Sequence, residues 1–108
     1  HKVLIWHAEP NQPNVLKLNF DWPQAGRYTV EVNKVHSRDG GEFELLLNGE
    51  SLGILNFHTD IENGSTEKVK PGTININPGP QNVELRFAGD FEDGNALRLD
   101  YLRMEKID

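Results

Sequence analysis

A chain of 108 residues is long enough to bury one hydrophobic core, so we expect residues 1–108 to form a single module. The formal net charge is −6, and lysine and arginine do not cluster, which argues against binding to nucleic acid or to an anionic membrane surface. No apolar run approaches the length of a membrane-spanning helix, and the chain starts with His1 rather than Met, as we expect of a module excised from a longer protein.

Apolar and polar residues alternate with a period of two along most of the chain, which predicts strands rather than helices. In residues 15–22, for example, Leu16, Leu18 and Phe20 face one way and the polar residues between them face the other. The predicted strands lie at residues 3–7, 15–22, 27–35, 42–47, 53–57, 73–76, 82–88 and in the segment that starts at residue 95. Their number and spacing predict an all-β fold, an antiparallel β-sandwich or jelly roll of about eight strands.

The C-terminal segment carries an interruption of this alternation. Leu97, Leu99 and Tyr101 share one face, whereas Leu102 and Met104 fall on the other. We therefore predict that this segment is the closing strand of the sandwich, with either a β-bulge or an exit from the sheet near residues 101–102.

If successive strands run antiparallel, the connections between them alternate between the two ends of the sandwich. Three tight turns then share one end, and four longer polar loops share the other, where binding residues are commonly carried on a rigid scaffold. The tight turns are residues 22–26, 48–51 and 77–80, and the longer loops are residues 8–14, 36–40, 58–71 and 89–95.

The long loops carry side chains that suit sugar recognition, because aromatic rings cover the apolar faces of pyranoses and polar side chains bond their hydroxyls. Phe91, which lies among acids and amides, is the candidate stacking surface. Trp22 is expected in the core, and Trp6 could serve either as core or as a platform. The candidate hydrogen-bonding residues are His36, Arg38, Asp39, His58, Asp60 and Asp93. Each of these also fits a purely structural role, since polar residues serve the turns themselves.

No motif in the chain specifies a catalytic nucleophile, a phosphate loop or a paired-carboxylate glycosidase site, so we expect a protein that is not an enzyme. His7, His36 and His58 share the long-loop end but lack a known zinc-ligand spacing. The acidic run at residues 90–93 departs from the alternating oxygen ligands of an EF-hand. We therefore expect no cofactor, with calcium as the metal that remains possible.

The order of three motifs resembles the galactose-binding-like β-sandwich. These motifs are AGRY at residues 25–28, LLLNGESLG at 45–53 and LRLDYLRM at 97–104. The chain is most similar to the C-terminal accessory modules of bacterial glycan-processing proteins, including a family tied to furanoside hydrolysis. The resemblance implies a non-catalytic carbohydrate-binding module of a secreted, periplasmic or cell-surface bacterial protein, with a poly- or oligosaccharide as ligand and a catalytic domain in the same parent chain.

The resemblance also implies a calcium site formed by an N-terminal acidic pair and an acid of the last strand. Asp100 matches the last-strand acid, but Glu9 is the only acid near the N-terminal position. A structural alternative for Asp100 is pairing with Arg98 or Arg86 on the outer face of a sheet. We expect that pairing rather than calcium.

A second function remains open, in which the module binds no sugar and packs against a catalytic domain or a second subunit. That function requires an exposed apolar face. The candidates for this face each oppose the main alternation of their strand, and they are Leu46, Leu55, Leu102 and Met104.

Overall fold

The computed structural model describes residues 3–61 and 64–107. Eight strands form two four-stranded antiparallel sheets, with strand orders β1-β8-β3-β6 and β2-β7-β4-β5. The predicted all-β sandwich of eight strands is thus confirmed, and no helix that could span a membrane occurs in the part of the chain that the structure describes. The strands are β1 (Leu4–His7), β2 (Val15–Trp22), β3 (Gly26–Val35), β4 (Glu42–Leu47), β5 (Glu50–Asn56), β6 (Thr66–Ile76), β7 (Gly79–Phe87) and β8 (Ala96–Lys106).

Aromatic rings organise the core around Phe43, whose side chain is completely buried. The Phe43 ring lies 6.0 Å from that of Trp6, 5.8 Å from that of Phe57 and 5.4 Å from that of Phe87, centroid to centroid. The first two contacts are edge-to-face, an arrangement that stabilises beyond the burial of area alone. The alternating residues of the central strands complete the core, among them Val30, Val32, Leu45, Leu47, Val83 and Leu85.

Strand β6 corrects the predicted boundary of the third long loop. The prediction assigned residues 58–71 to a loop, whereas the strand already begins at Thr66, and residues 62–63 lie outside the described residues. Pro71 was not included in a predicted strand, because proline has no backbone N–H to donate to a β-ladder. Strand β6 is nevertheless able to hold it, since it is an edge strand and the β3–β6 ladder shifts register between Val30 and Val32. Proline is tolerated at such edges and bulges.

The predicted tight turn at residues 48–51 is a hairpin that joins the paired strands β4 and β5 through Asn48 and Gly49. Both residues have positive φ, 50° and 84°, which is the conformation that the Asn-Gly pair favours in two-residue hairpin loops. Strand β5 begins directly after it, at Glu50 rather than at residue 53.

The bulge in β8 lies at Asp100, one residue before the predicted position. Asn33 pairs with Tyr101 and the next residue, Lys34, pairs with Leu99, so Asp100 is the extra residue. The bulge lets Leu99 before it and Met104 after it both reach the core. Its presence explains why one strand carries two opposite alternations.

The strand directions place all four long loops at one end of the sandwich, as predicted. These connections are residues 8–14, 36–41, 57–65 and 88–95, and we refer to this end as the loop end. The connections at residues 23–25, 48–49 and 77–78 lie at the opposite end, the turn end.

The apolar residues assigned to an exposed packing face are mostly buried, so that expectation is wrong. Leu46, Leu55 and Met104 are exposed by only 6%, 4% and 9%, and Leu102 is half-buried against the core. The register irregularities explain Leu55 and Met104, because they reverse the facing of the residues that follow. Leu46 is buried because β4 lies between two neighbouring strands.

We expect Phe43→Ala to lower the free energy of unfolding by about 3–5 kcal/mol, because it removes the ring that three other rings contact and leaves a cavity. Urea denaturation monitored by circular dichroism measures the change. The control is Ile54→Ala, a β5 residue whose side chain is 52% exposed, for which the loss should stay within about 0.5 kcal/mol. Equal losses in the two variants would contradict this description of the core.

Candidate functional site

A groove of about 730 Å³ opens at the loop end, between the β3–β4 and β7–β8 loops and the end of β5. Glycines bring its walls together: a Cβ on Gly40 would lie 1.9 Å from the Phe57 carbonyl oxygen, and one on Gly94 would lie 2.2 Å from the Gly40 carbonyl oxygen. We call this cavity the loop-end groove. Its polar and charged lining residues are Arg38, Glu42, Asn56, His58, Asp90, Glu92 and Asp93.

Three of the four carboxylates in the groove are not used by the fold. Among residues 3–61 and 64–107, no hydrogen bond or ion pair engages the side-chain carboxylates of Glu42, Glu92 and Asp93. The fourth, Asp90, accepts the backbone N–H of Glu92 at 3.1 Å and so shapes the β7–β8 loop. Unengaged carboxylates are strong hydrogen-bond acceptors, so the groove suits a ligand that presents donors.

The β5–β6 loop orients the two basic side chains of the groove. Arg38 donates from Nη2 to the carbonyl oxygen of Ile61 at 3.2 Å. The Nε2 atom of His58 lies 2.7 Å from Asp60 Oδ1, and its Nδ1 atom is buried without a partner among the described residues. The structure thus brings together Arg38, His58 and Asp93 of the predicted binding set, with Asp60 beside them on His58.

Asp39 lies outside the groove and connects loops instead. Its Oδ1 accepts a hydrogen bond from Arg98 Nη1 at 2.7 Å, and its Oδ2 lies 3.5 Å from His7 Nε2. The same Arg98 nitrogen also donates to the Ser37 hydroxyl. The Arg98 hydrogen bond is the main reason that the pKa of Asp39 lies far below its usual value. This acid stabilises the β3–β4 loop.

His36 also supports the loop end from outside the groove. Its Nδ1 lies 3.3 Å from Ser65 Oγ, and its Nε2 lies 3.5 Å from Glu67 Oε1. Glu67 is paired in addition with the buried Lys34 at 3.0 Å, and the hydrogen bond from Lys34 is the main cause that lowers the pKa of Glu67. Lys34 Nζ donates to the carbonyl oxygen of Asn56 at 2.7 Å, so this cluster holds a residue that lines the groove.

Phe91 does not line the groove, although its neighbours in the chain do. Its ring is 39% exposed and packs on the Phe87 ring with a centroid distance of 4.7 Å and an interplanar angle of 47°. The groove therefore contains no aromatic side chain among the residues that line it. The exposed part of the Phe91 ring lies at the loop end, outside the groove.

Sequence reasoning missed Glu42 and Asn56, which stand at strand ends and line the groove. The Gly40-Gly41 pair before β4 was the available signal, because adjacent glycines mark a place where backbone segments approach closely. Sequence reasoning also left the position of Trp6 open, and Trp6 lines a second cavity at the loop end.

No metal site is formed by the residues that were candidates for one. His7, His36 and His58 contact Asp39, Glu67 and Asp60 respectively, and no group of three metal-binding side chains occurs within residues 3–61 and 64–107. Calcium ordinarily requires six to eight oxygen ligands. Asp100 belongs to no cluster of three acidic, histidine or cysteine side chains within the described residues.

Asp100 accepts a hydrogen bond at Oδ2 from Asn33 Nδ2, with a distance of 2.7 Å. The expected partners are placed elsewhere: Arg98 bonds Asp39, and Arg86 bonds Glu84 in the other sheet. Asp100 thus lies in the bulge and bonds the amide nitrogen of the buried Asn33 on the neighbouring strand, whereas Asn33 Oδ1 has no partner among the described residues.

No family model matches the sequence, and neither does any curated protein. The fold is similar to several solved structures. A xanthan lyase from Paenibacillus matches 98% of this chain with a TM-score of 0.76 and 17% identity, and the match covers 12% of the lyase chain. The EclA C-terminal domain, described as a sugar-binding protein, matches 96% of this chain with a TM-score of 0.70 and 15% identity, covering 77% of that chain.

A carbohydrate-binding module of the CBM36 type, solved with calcium and xylotriose, matches 94% of this chain and 78% of its own, with a TM-score of 0.60 and 13% identity. The chain therefore has a β-sandwich fold like that of carbohydrate-binding modules. At these identities the similarity concerns the fold, and the chain spans only a small part of the lyase.

We expect the stability contributed by Asp39 to depend on pH. Because its pKa is lower in the folded than in the unfolded chain, the stabilisation is present above the unfolded-state pKa of about 4 and is lost as the pH falls through the folded-state value. Asp39→Asn should cost about 1–2 kcal/mol at neutral pH, a value reduced by the partial exposure of the pair.

Urea denaturation of both proteins over a range of pH measures this difference, which should shrink as the pH falls below about 4. Asp93→Asn is the control, because the Asp93 carboxylate has no partner among the described residues. A difference that stays constant from neutral to acidic pH would show that the charge of Asp39 is not the cause.

Proposed function

We propose that this chain is a non-catalytic carbohydrate-binding module that holds a glycan in the loop-end groove. The observation that carries the proposal is a groove with three unengaged carboxylates, next to an arginine and a histidine that neighbouring residues orient. Sugar hydroxyls donate hydrogen bonds to carboxylates and accept them from arginine, so both kinds of group find partners on one glycan. The similarity of the fold to modules named as sugar-binding supports this proposal.

The module would belong to a larger glycan-processing protein of a bacterium, with a catalytic domain in the same chain. This is supported by the xanthan lyase, in which a region similar to the whole module makes up 12% of the chain. A secreted, periplasmic or cell-surface location follows from the proposal, since polysaccharides are processed outside the cytoplasm. The proposal assigns no role to calcium, because Asp100 belongs to no cluster of three acidic, histidine or cysteine side chains among the described residues.

A second candidate function, packing against a neighbouring domain, is favoured by a separate feature. An apolar cleft of about 300 Å³ opens between β2 and the second half of β8. Within the described residues, β1 pairs with β8 from Leu4 opposite Leu99 to His7 opposite Ala96, and Trp22 Nε1 is buried at the cleft without a partner in the same part of the chain. The cleft is lined by Leu18, Phe20, Trp22, Val83, Leu102, Arg103 and Met104.

We expect Asp93→Ala to weaken glycan binding about tenfold, because it removes one charged acceptor from the groove. A panel of soluble plant, algal and bacterial polysaccharides in affinity gel electrophoresis identifies a ligand, and calorimetry with its oligosaccharides gives the dissociation constant. Glu50→Ala, at the exposed turn end, is the matched control and should bind like the unmodified protein. Failure to bind any member of the panel would overturn the proposal, and equal effects of the two substitutions would place the ligand elsewhere.

We also expect the groove to prefer neutral glycans over uronic acid polymers of the same length. Four carboxylates line it, whereas Arg38 supplies the one fixed positive charge among its lining residues. A uronate would meet like charges there, and salt would screen the repulsion. Calorimetry with xylo-oligosaccharides and oligogalacturonates should give tighter binding of the neutral sugars and a smaller difference at high salt. Tighter binding of the uronates would contradict the expectation.

A further inference from the structure

We propose that a second cavity at the loop end, beside Trp6, is a saccharide subsite that continues the loop-end groove. In this subsite the indole of Trp6 stacks on a sugar ring of the glycan that occupies the groove, so the inference rests on the proposed function. The cavity has a volume of about 320 Å³. We call it the Trp6 cleft, and it is lined by Trp6, His7, Glu9, Gln12, Pro13 and Asn14.

The Trp6 ring is fixed in position but only partly covered. Trp6 pairs with Leu97 in the β1–β8 ladder, and its ring packs against Phe43 at 6.0 Å with an interplanar angle of 68°. Trp6 is partly buried and packs against the margin of the core. It also lines the cleft, where part of its surface is not covered by the core. A ring that is already immobile loses little entropy when a ligand binds to it.

The loop that faces this ring is fixed by a reciprocal pair of hydrogen bonds. The backbone N–H of Glu9 donates to Asn14 Oδ1, and Asn14 Nδ2 donates to the carbonyl oxygen of Glu9, both at 2.9 Å. The side chains of Glu9 and Gln12 have no partner within the described part of the chain. A fixed ring bordered by an acceptor and a side-chain amide matches a sugar, which presents an apolar C–H face ringed by hydroxyls.

Hydrogen bonds join the β1–β2 connection, which lines the Trp6 cleft, to the β7–β8 loop, which lines the loop-end groove. Ala8, in the connection that follows β1, donates its N–H to the Asn95 carbonyl oxygen at 2.9 Å, and Asn95 Nδ2 donates to the Ala8 carbonyl oxygen at 2.7 Å. The neighbouring Gly94 lines the groove. One extended glycan can therefore cross this loop and reach both cavities.

The two cavities supply complementary interactions. The groove offers charged hydrogen-bonding groups without an aromatic ring among its lining residues, and the cleft offers the ring. Trp22 is not an alternative platform, because it lies at the turn end with its ring edge-to-face on Tyr28 at 5.5 Å. The longer the oligosaccharide, the more binding should depend on Trp6.

The test compares xylobiose with xylohexaose, and cellobiose with cellohexaose, on four forms of the chain: unmodified, Trp6→Ala, Trp6→Phe and Asp93→Ala. We expect Trp6→Ala to weaken hexasaccharide binding tenfold or more and to leave disaccharide binding in the groove unchanged. Trp6→Phe should retain part of the affinity. Leu4→Ala, in the same strand, is the control for the stability of β1, and it should not change affinity.

The two indole N–H signals in a nitrogen–proton correlation spectrum give an independent readout, because the chain has only two tryptophans. The Trp6 signal, assigned from Trp6→Phe, should shift when the hexasaccharide is added, and the Trp22 signal should not. Hexasaccharide binding that is lost in Asp93→Ala but unchanged in Trp6→Ala, with the Trp6 signal unmoved, would overturn the subsite and leave the groove standing. Loss in Trp6→Ala alone would support the subsite and overturn the groove. Failure of the unmodified chain to bind these oligosaccharides and every polysaccharide of the panel would overturn both.

Discussion

The loop end depends on the contact between the β3–β4 loop and the β7–β8 loop. The carbonyl oxygen of Asp39 accepts the backbone N–H groups of both Asn95 and Ala96, and the Asp39 carboxylate is held by Arg98 of β8. The chain segments come so close that Gly94 adopts a φ of 133° and has no space for a side chain against Gly40. This contact forms one wall of the groove and carries the hydrogen bonds to the connection beyond Trp6. Both cavities therefore take their shape from a short set of backbone and charged contacts.

Acidic residues of the chain divide into two groups that differ in physical role. Glu31, Asp39 and Glu67 accept hydrogen bonds from neighbouring side chains, and their pKa values are lowered chiefly by Tyr101, Arg98 and Lys34 respectively. These acids are part of the fold. Glu42, Glu92 and Asp93 line the groove, and their carboxylates have no partner among the described residues. They do not hold neighbouring side chains in place, so their charge is available to a ligand. The net charge of −6 does not distinguish the two groups, because it counts both equally.

The alternation of apolar residues was sufficient to predict the strands of the sandwich, and an antiparallel order of those strands predicted the end at which the long loops meet. The reversed alternation in the last strand indicated either a bulge or an exit from the sheet, and the structure shows the bulge, with Asp100 as the extra residue. The beginning of β6 was not predictable in this way, since an edge strand has few buried side chains to reveal a period. The fold could therefore be predicted from the sequence wherever the burial of alternate side chains imposes a period of two.

The candidate site was harder to predict, because the sequence of a loop does not show which side chains are in contact in the folded chain. Arg38, His58 and Asp93 were predicted and line one groove, whereas Asp39 and His36 carry the same chemistry and serve the loops. The distinction depends on partners that are distant in sequence: Arg98 lies 59 residues from Asp39. No local pattern contains such a partner.

The two candidate functions use different surfaces of the sandwich. The apolar cleft lies between the later parts of β2 and β8, toward the turn end, whereas the groove and the Trp6 cleft lie at the loop end. A neighbouring domain that covered the apolar cleft would shield Trp22 and Leu102 from water and leave the loop end open. Packing against a catalytic domain and holding a glycan are therefore compatible in one module, with the glycan directed away from the packing surface.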